Sequence, residues 1–331
     1  LAREHAMALP AVVRGILGML MLAYIGFIAS VGVTFVFLLY LVLRPFSEGA
    51  FLRLGCWIQG SFLVHFNLFM DILLGIKLDV RGVMPPAEGA LVIPNHLTHD
   101  WVPMYMMGYR IGTLPYVRTV IKKVVSYVPG LGWGMWALYW PFVSRDFNKD
   151  ETVLKKLFGA YERHGLPVQT WLYPEGTRKT AKKLADAQEY ERANGYTVWN
   201  HVLLPRHRGF SLAVNSLKGA IRMIHEVTIA YEGWPSEAPS LWDFMTTDPL
   251  TPHVVHVHVA RTPMSALPND DAGKKQWLMD AFARKEELLT GFQRDGHFPG
   301  AKQSKDVTVG PMMPHVIGWA LVSLAVLKCF I

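Results

Sequence analysis

The feature that most constrains this chain is a run of 29 uncharged residues between Arg14 and Arg44. About 20 apolar residues in a helix cross the hydrocarbon core of a bilayer. The run is therefore expected to be a membrane helix. It is long enough for one tilted span, or for two shorter helices bent near Gly26 to Gly32 into a hairpin. It is too long for a cleaved signal peptide and lacks a good cleavage site. A second apolar stretch, Cys56 to Leu74, is interrupted by Gln59, His65, Asn67 and Asp71. It is expected to be interfacial or partly buried. Residues 1–76 thus read as a membrane-anchoring helical segment.

The rest of the chain is not membrane-like. Over all 331 residues, 51% are hydrophobic and 18% charged, with a net charge of +7. That balance is too apolar for an ordinary soluble enzyme and too charged for a multi-span transporter. It fits a membrane-attached globular domain with an anionic partner, either an anionic lipid surface or a phosphorylated substrate. The basic residues are scattered and no zinc-finger or RNA-recognition signature is present, so nucleic acid is not an expected partner. Cys56 and Cys329 lie far apart in apolar segments, without disulfide or metal-type spacing. No metal site is expected. A chain starting at Leu1 and not Met is expected either from removal of a presequence, as in an imported organellar protein, or from an incomplete clone.

From Lys77 the pattern changes to alternating strands and helices. Lys77 to Gly82 and Ala90 to Ile93 read as strands around a Pro85-Pro86 turn. The Gly130-Leu131-Gly132-Trp133-Gly134 run lacks dinucleotide-binding spacing and reads as a bend beside packed aromatics. Asn148 and Glu151 form a capping-box pattern for a helix that stops at Gly165. Val168 to Tyr173 is a strand, Lys179 to Gly195 a polar helix, and Ser211 to His225 a further helix. Glu226 to Tyr231 and Val254 to Ala260 are strands. His256 and His258 share one face of the last, as ordinary strand residues. Gly273 to Phe292 is an amphipathic helix. Val316 to Ile331 is apolar enough to dock on a membrane or cross it with strain. The fold class is α/β, a sheet covered by helices behind an N-terminal membrane helix or helical hairpin. The domain occupies residues 77–295, followed by a linker and an apolar, membrane-associated segment over 296–331.

Two apolar strands each end in a polar knot: Asn95-His96 with Asp100, and Pro174-Glu175-Gly176-Thr177-Arg178. Ligands of α/β sheets bind at strand C-termini. A histidine oriented by a carboxylate is a general base at neutral pH. A guanidinium holds phosphate through paired planar hydrogen bonds. A base and an anion clamp on a membrane-tethered domain suit a phosphorylated lipid with a hydroxyl to be activated.

With these knots in place the sequence resembles the glycerophospholipid acyltransferases, which include the lysophosphatidic acid acyltransferases. Four family blocks occur in order: Asn95-His96…Asp100, Phe142-Val143-Ser144-Arg145-Asp146, Pro174 to Arg178, and Val227-Thr228-Ile229-Ala230-Tyr231. Asp100-Trp101, Arg145 to Glu151, Leu204 to Phe210 and His256 to Val259 resemble the branch that holds lysocardiolipin acyltransferase. The resemblance implies transfer of a fatty acyl group from acyl-CoA, the co-substrate, to the free hydroxyl of a lysophospholipid, with no bound cofactor. It implies His96 as general base, oriented by Asp100. Arg145 and Arg178 would hold phosphate, Glu175 would order that clamp, and Gly176 would let the backbone approach, with Thr177 in the same loop. The setting implied is an endoplasmic reticulum or mitochondrial membrane.

One departure separates this chain from the family pattern. The family places four residues between the histidine and the aspartate, whereas only Leu97, Thr98 and His99 intervene here. On a helix a spacing of five sets side chains about 140° apart and a spacing of four about 40° apart. The pair must therefore meet through a turn that precedes a helix. Shortening that turn should displace Asp100 unless the backbone compensates. The alternative this raises is an acyltransferase-fold subunit of a membrane complex, structural or lipid-binding, with weakened or lost chemistry.

Overall fold

The structure, a computed structural model, describes residues 10–144, 147–219, 221–233, 238–246, 253–304 and 306–328. The first apolar run is one continuous helix, α1 (Ala11–Val42), and not a hairpin bent at Gly26 to Gly32. Glycine at position 32 serves packing instead of bending: a Cβ there would come within 2.7 Å of Phe62. After a short turn the chain reverses into α2 (Glu48–Asn67), prolonged by a wider helical turn through Leu73. The helical hairpin thus exists, but its bend lies at residues 43–47. Both helices are long and apolar enough to cross a membrane, yet they differ in burial. Of the most apolar window, 22% is buried in α1 and 67% in α2. Helix α2 is accordingly a wall of the domain, and α1 faces outward.

The domain is built on a six-stranded sheet of order β1-β8-β7-β2-β6-β3. Its strands are β1 (Lys77–Gly82), β2 (Ala90–Pro94), β3 (Val117–Thr119), β6 (Gln169–Trp171), β7 (Met223–Tyr231) and β8 (Val254–Pro263). Strand β2 lies parallel between β7 and β6 and is buried at every residue. A strand covered on both faces needs a continuous apolar run, which Ala90 to Pro94 provides. Strand β8 runs antiparallel to β7 and parallel to β1, so β1 opposes the central strands. A separate two-stranded ribbon joins β4 (Ile121–Lys122) to β5 (Phe142–Val143).

Helices α3 (Trp101–Arg110), α4 (Leu131–Ala137), α5 (Phe147–Arg163), α6 (Ala181–Ala193), α7 (His207–Leu217), α8 (Leu241–Met245), α9 (Asp271–Asp295) and α10 (Met313–Lys328) complete the fold. Three local expectations need correction. The 130–134 run is the start of α4, a helix and not merely a bend. Helix α5 begins a residue before the Asn148 expected to cap it. The helix expected over Ser211 to His225 starts at His207, directly after the Pro205 break, and ends at Leu217. Met223, Ile224 and His225 belong to β7, where backbone pairing to β2 outweighs the weak local preference. His256 is buried 3.3 Å from Asp79 and 3.7 Å from Glu232. Cys56 is free and buried, and Cys329 lies outside the described residues.

Helix α1 lies along this domain, not away from it. Near its start Arg14 Nε donates to Thr246 O at 2.9 Å. Near its end Tyr40 meets Phe51 of α2 and Trp136 of α4. Past α9, Gln303 N donates to Val80 O at 2.7 Å, and Ser304 Oγ bonds both Val80 N and Leu78 O. Residues 303–304 therefore cover the outer edge of β1.

Candidate active site

The C-terminal ends of β2, β6 and β7 meet at one knot. Asn95 behaves as an extra strand residue, donating to Ile229 O at 3.0 Å and accepting from Ile229 N at 2.8 Å. That zips the end of β2 to β7 and fixes where the next residue starts. His96 N then donates to Glu175 Oε1 at 2.7 Å, and His96 O accepts from Lys179 N at 2.8 Å. Both backbone groups of His96 are thus held by the loop that follows β6. The imidazole rests on Tyr173, with ring centroids 4.3 Å apart.

The shortened first block does not separate its pair. His96 Nδ1 lies 2.8 Å from Asp100 Oδ2, and Leu97 N donates to Asp100 Oδ1 at 2.9 Å. The compensation is made at His99, whose φ of 60° is left-handed. One left-handed residue reverses the chain tightly enough to bring Asp100 back under the ring. Such a conformation is uncommon for a residue with a side chain, although histidine is among those enriched there. Asp100 itself is already right-handed and leads into α3, whose Val102 N bonds His99 O at 2.9 Å.

The third block forms the facing wall. Gly176 N bonds Tyr173 O at 3.0 Å, closing a turn in which Gly176 has φ of 69°. A Cβ at Gly176 would sit 3.2 Å from Arg206 Cδ, so this guanidinium arm lies directly on the turn. Glu175 points inward, and its second oxygen accepts from Leu203 N at 3.1 Å. Thr177 Oγ1 takes a hydrogen bond from Lys183 Nζ, and Arg178 is exposed. The sequence-expected His96, Asp100, Glu175, Gly176, Thr177 and Arg178 are therefore brought together. Arg145 lies outside the described residues. Val227 to Tyr231 is part of β7.

Helix α9 supports this knot from beneath. Glu286 accepts from three successive backbone N–H groups, Asn200 at 2.6 Å, His201 at 2.8 Å and Val202 at 3.2 Å. The fourth in the series, Leu203, goes to Glu175. Two carboxyl groups thus share four consecutive donors, one anchored on α9 and one on the loop that follows β6. Lys285, 1% exposed, donates to Val227 O at 2.6 Å. Sequence reading placed Asn95 in the first knot but missed Lys285 and Glu286 as site-building residues. Lys285 carried a signal: with Leu278, Ala281, Phe282 and Leu289 it occupies the apolar face of its helix.

Burial sets the electrostatics of the knot. It pushes the Asp100 carboxyl up, against the pull of the His96 ring and the Leu97 N–H. It pushes Glu175 up to about 8, opposed by its two backbone donors. Lys285 is pushed down to about 7 by burial, opposed by Glu226 and Glu175. His99 is lowered by burial and then by the neighbouring Arg178 charge. A cavity of about 440 Å³ adjoins the knot, with Asn95 and Leu97 in its wall alongside Lys179, His201 and Phe292. Among the described residues there is no cluster of three or more His, Cys, Asp or Glu side chains able to hold a metal ion.

A sheet whose strand ends carry a His–Asp pair beside a Glu-Gly-Thr-Arg turn is the arrangement expected from the family resemblance, and the chain belongs to the acyltransferase family. The family profile matches residues 77–230, and that of the acyltransferase C-terminus matches residues 250–322. The chain is 30% identical to the 1-acyl-sn-glycerol-3-phosphate acyltransferase 2 of Brassica oleracea over 298 residues, covering 87% of this chain and 75% of that one. It is also 30% identical to the lysocardiolipin acyltransferase 1 of Danio rerio, over 67% of this chain and 58% of that one. In fold it resembles the crystal structure of a 1-acyl-sn-glycerophosphate (LPA) acyltransferase from Thermotoga maritima. That match has a TM-score of 0.50 at 16% identity and covers 88% of this chain and all of that one.

Proposed function

We propose that this protein is a membrane-bound enzyme that moves a fatty acyl group from acyl-CoA to the free hydroxyl of a lysophospholipid, of the lysophosphatidic acid or lysocardiolipin type. The observation that carries the reading is the 2.8 Å contact between His96 Nδ1 and Asp100 Oδ2. With the carboxylate accepting at Nδ1, the proton sits there and the Nε2 lone pair is free to act as a base. His96 takes the hydroxyl proton as that oxygen attacks the thioester carbonyl. The new C–O bond forms, the C–S bond breaks, and the departing CoA sulfur receives the proton from the imidazolium. Asp100 holds the ring and balances its transient charge. No covalent enzyme intermediate or bound cofactor enters the scheme.

Arg178, exposed and cationic, meets the phosphate of the acceptor or the donor, and Arg145 shares that role. The relatives' names supply the acceptor class, and the phosphate clamp is consistent with it. The outward face of α1 lies in the lipid. The scaffold alternative drew its force from the shortened block, and the pair it was expected to separate remains in contact. The test is release of CoA thiol when purified protein meets acyl-CoA and a lysophospholipid. His96→Ala is expected to lower turnover about 10²–10⁴-fold. Unchanged turnover in that variant would remove His96 from the mechanism.

A further inference from the structure

Between Asp100 and Asp146 the sequence has no acidic residue. Of the cations in that interval, Arg110 is paired with Asp71 at 2.6 Å and Arg118 is buried, whereas Lys122 and Lys123 are exposed. At its centre, residues 122–136 pass from the end of β4 through a tight turn into α4. This stretch turns its large apolar side chains outward. Val124 is 65% exposed, Tyr127 67%, Trp133 48% and Trp136 50%. Single exposed apolar residues are ordinary on any protein. Two tryptophans, a tyrosine and a valine all exposed in so short a stretch are a concentration of apolar surface that marks an interaction surface.

The outward pose is built into the backbone. Gly132 and Gly134 are both buried, each against a different neighbour. A Cβ at Gly132 would come within 2.4 Å of Val125 O, and one at Gly134 within 2.5 Å of Val33 Cβ. The chain therefore sits flush on its own turn and on α1. Trp133 meets Phe37 at 5.8 Å and Trp136 meets Tyr40 at 5.0 Å between ring centroids. The two indoles continue the outward face of α1, where Phe35, Leu38 and Leu41 are exposed as well. Cations border the patch: Lys122 and Lys123 are exposed at its head, and Arg44 lies 5.4 Å over the Tyr40 ring.

We propose that residues 122–136 form a membrane-docking surface, seated at the headgroup level of an anionic bilayer beside α1. The proposal rests on the reading of α1 as a membrane helix. Its occupant is lipid because the patch is continuous with that helix and combines tryptophan, tyrosine and lysine, the residues that settle at a membrane–water boundary. The exposed ammonium groups of Lys122 and Lys123 complement anionic headgroups. A single helix in the bilayer leaves a domain free to turn about its axis. A second contact fixes the turn, and this one leads in sequence straight to the second family block.

The test places a fluorescent thiol probe at Tyr127→Cys or Trp133→Cys in the full chain carrying Cys329→Ser. Tyr190→Cys, exposed on α6, is the control, and Cys56 is buried and stays. The protein is reconstituted in phosphatidylcholine–phosphatidylglycerol vesicles containing doxyl lipids labelled at shallow or deep positions. Probes at 127 and 133 are expected to be quenched, more by the shallow label, at a depth of about 5–10 Å. The control should stay unquenched. Lys122→Glu with Lys123→Glu is expected to lessen the quenching only when phosphatidylglycerol is present. Equal quenching at 127, 133 and 190 would overturn the proposal. So would energy transfer between labelled copies without lipid quenching, which would make the patch a contact with a second copy. None of these readouts needs turnover, so a protein without acyl transfer could still pass, and an active one could still fail.

Discussion

Replacing Asp100 by asparagine isolates the electronic part of the proposed base from its shape. Asp100 makes two contacts, Oδ2 with His96 Nδ1 at 2.8 Å and Oδ1 with Leu97 N at 2.9 Å. Asparagine has one oxygen and one donor group. The oxygen is held by Leu97 N–H, which leaves the amide N–H facing Nδ1. That donor forces the ring proton onto Nε2, the atom that must receive the substrate proton. The expected loss is the whole general-base contribution, about 10²–10⁴-fold in kcat, or about 2.7–5.4 kcal/mol. KM should change little, because no substrate-binding group is touched. Stability should change by less than about 1 kcal/mol, since burial already works against the charge on Asp100. The assay is thiol release at saturating acyl-CoA and lysophospholipid, beside a thermal unfolding curve. A kcat within about threefold of the native value, ~0.65 kcal/mol, would refute the orientation role.

Three further outcomes are expected. His99→Val, a β-branched residue at a left-handed position, should cost about 1–2 kcal/mol and lower turnover, whereas His99→Gly should keep it. Identical behaviour of the two would show that the left-handed turn does not close the shortened block. Glu175→Gln leaves one backbone N–H without an acceptor and should cost about 1–3 kcal/mol. Because Glu175 titrates near 8 when folded and near 4.5 when free, the folded form keeps a proton that the unfolded chain sheds. That contribution is present below 4.5 and lost as pH rises towards 8, so the Gln variant should show a flatter fall in unfolding midpoint across that window. Arg178→Ala should raise KM for a phosphate-bearing lysolipid about 10- to 100-fold with a smaller change in kcat, and an equal loss of kcat would deny it a binding role.

The parts of the fold written in local periodicity were legible in the sequence. Ala90 to Pro94 reads as a buried strand, Val254 onward alternates, and the α9 pattern repeats at helical spacing. The functional knots were legible because both sit at strand ends with unusual polar composition. What the sequence hid depends on distant partners. Whether Gly32 bends a helix or admits Phe62 is decided by α2, not by its neighbours in sequence. The start of β7 at Met223 is decided by pairing with Ala90. The spacing of His96 and Asp100 pointed to a displaced pair, because spacing rules assume ordinary dihedrals and His99 does not adopt them. Glu286 looked like any charged helix residue until three backbone donors of another segment turned to it.

Strand β8, set between β1 and β7, also governs the order in which this protein can be assembled. Strand β1 emerges early in synthesis, yet its sheet partner among the described residues begins at Val254, opposite Lys77. At about 5–20 residues per second, a ribosome takes on the order of ten seconds or more to deliver that partner. Through this interval β1 has both edges bare, and bare edges recruit other chains. A fragment ending at the boundary of the first family segment would never receive β8, nor the Gln303 and Ser304 contacts that seal the outer edge. The two matched segments therefore build one sheet, the first supplying five strands and the second β8 between two of them, and nascent chains stalled between the segments are the species from which aggregation is expected to start.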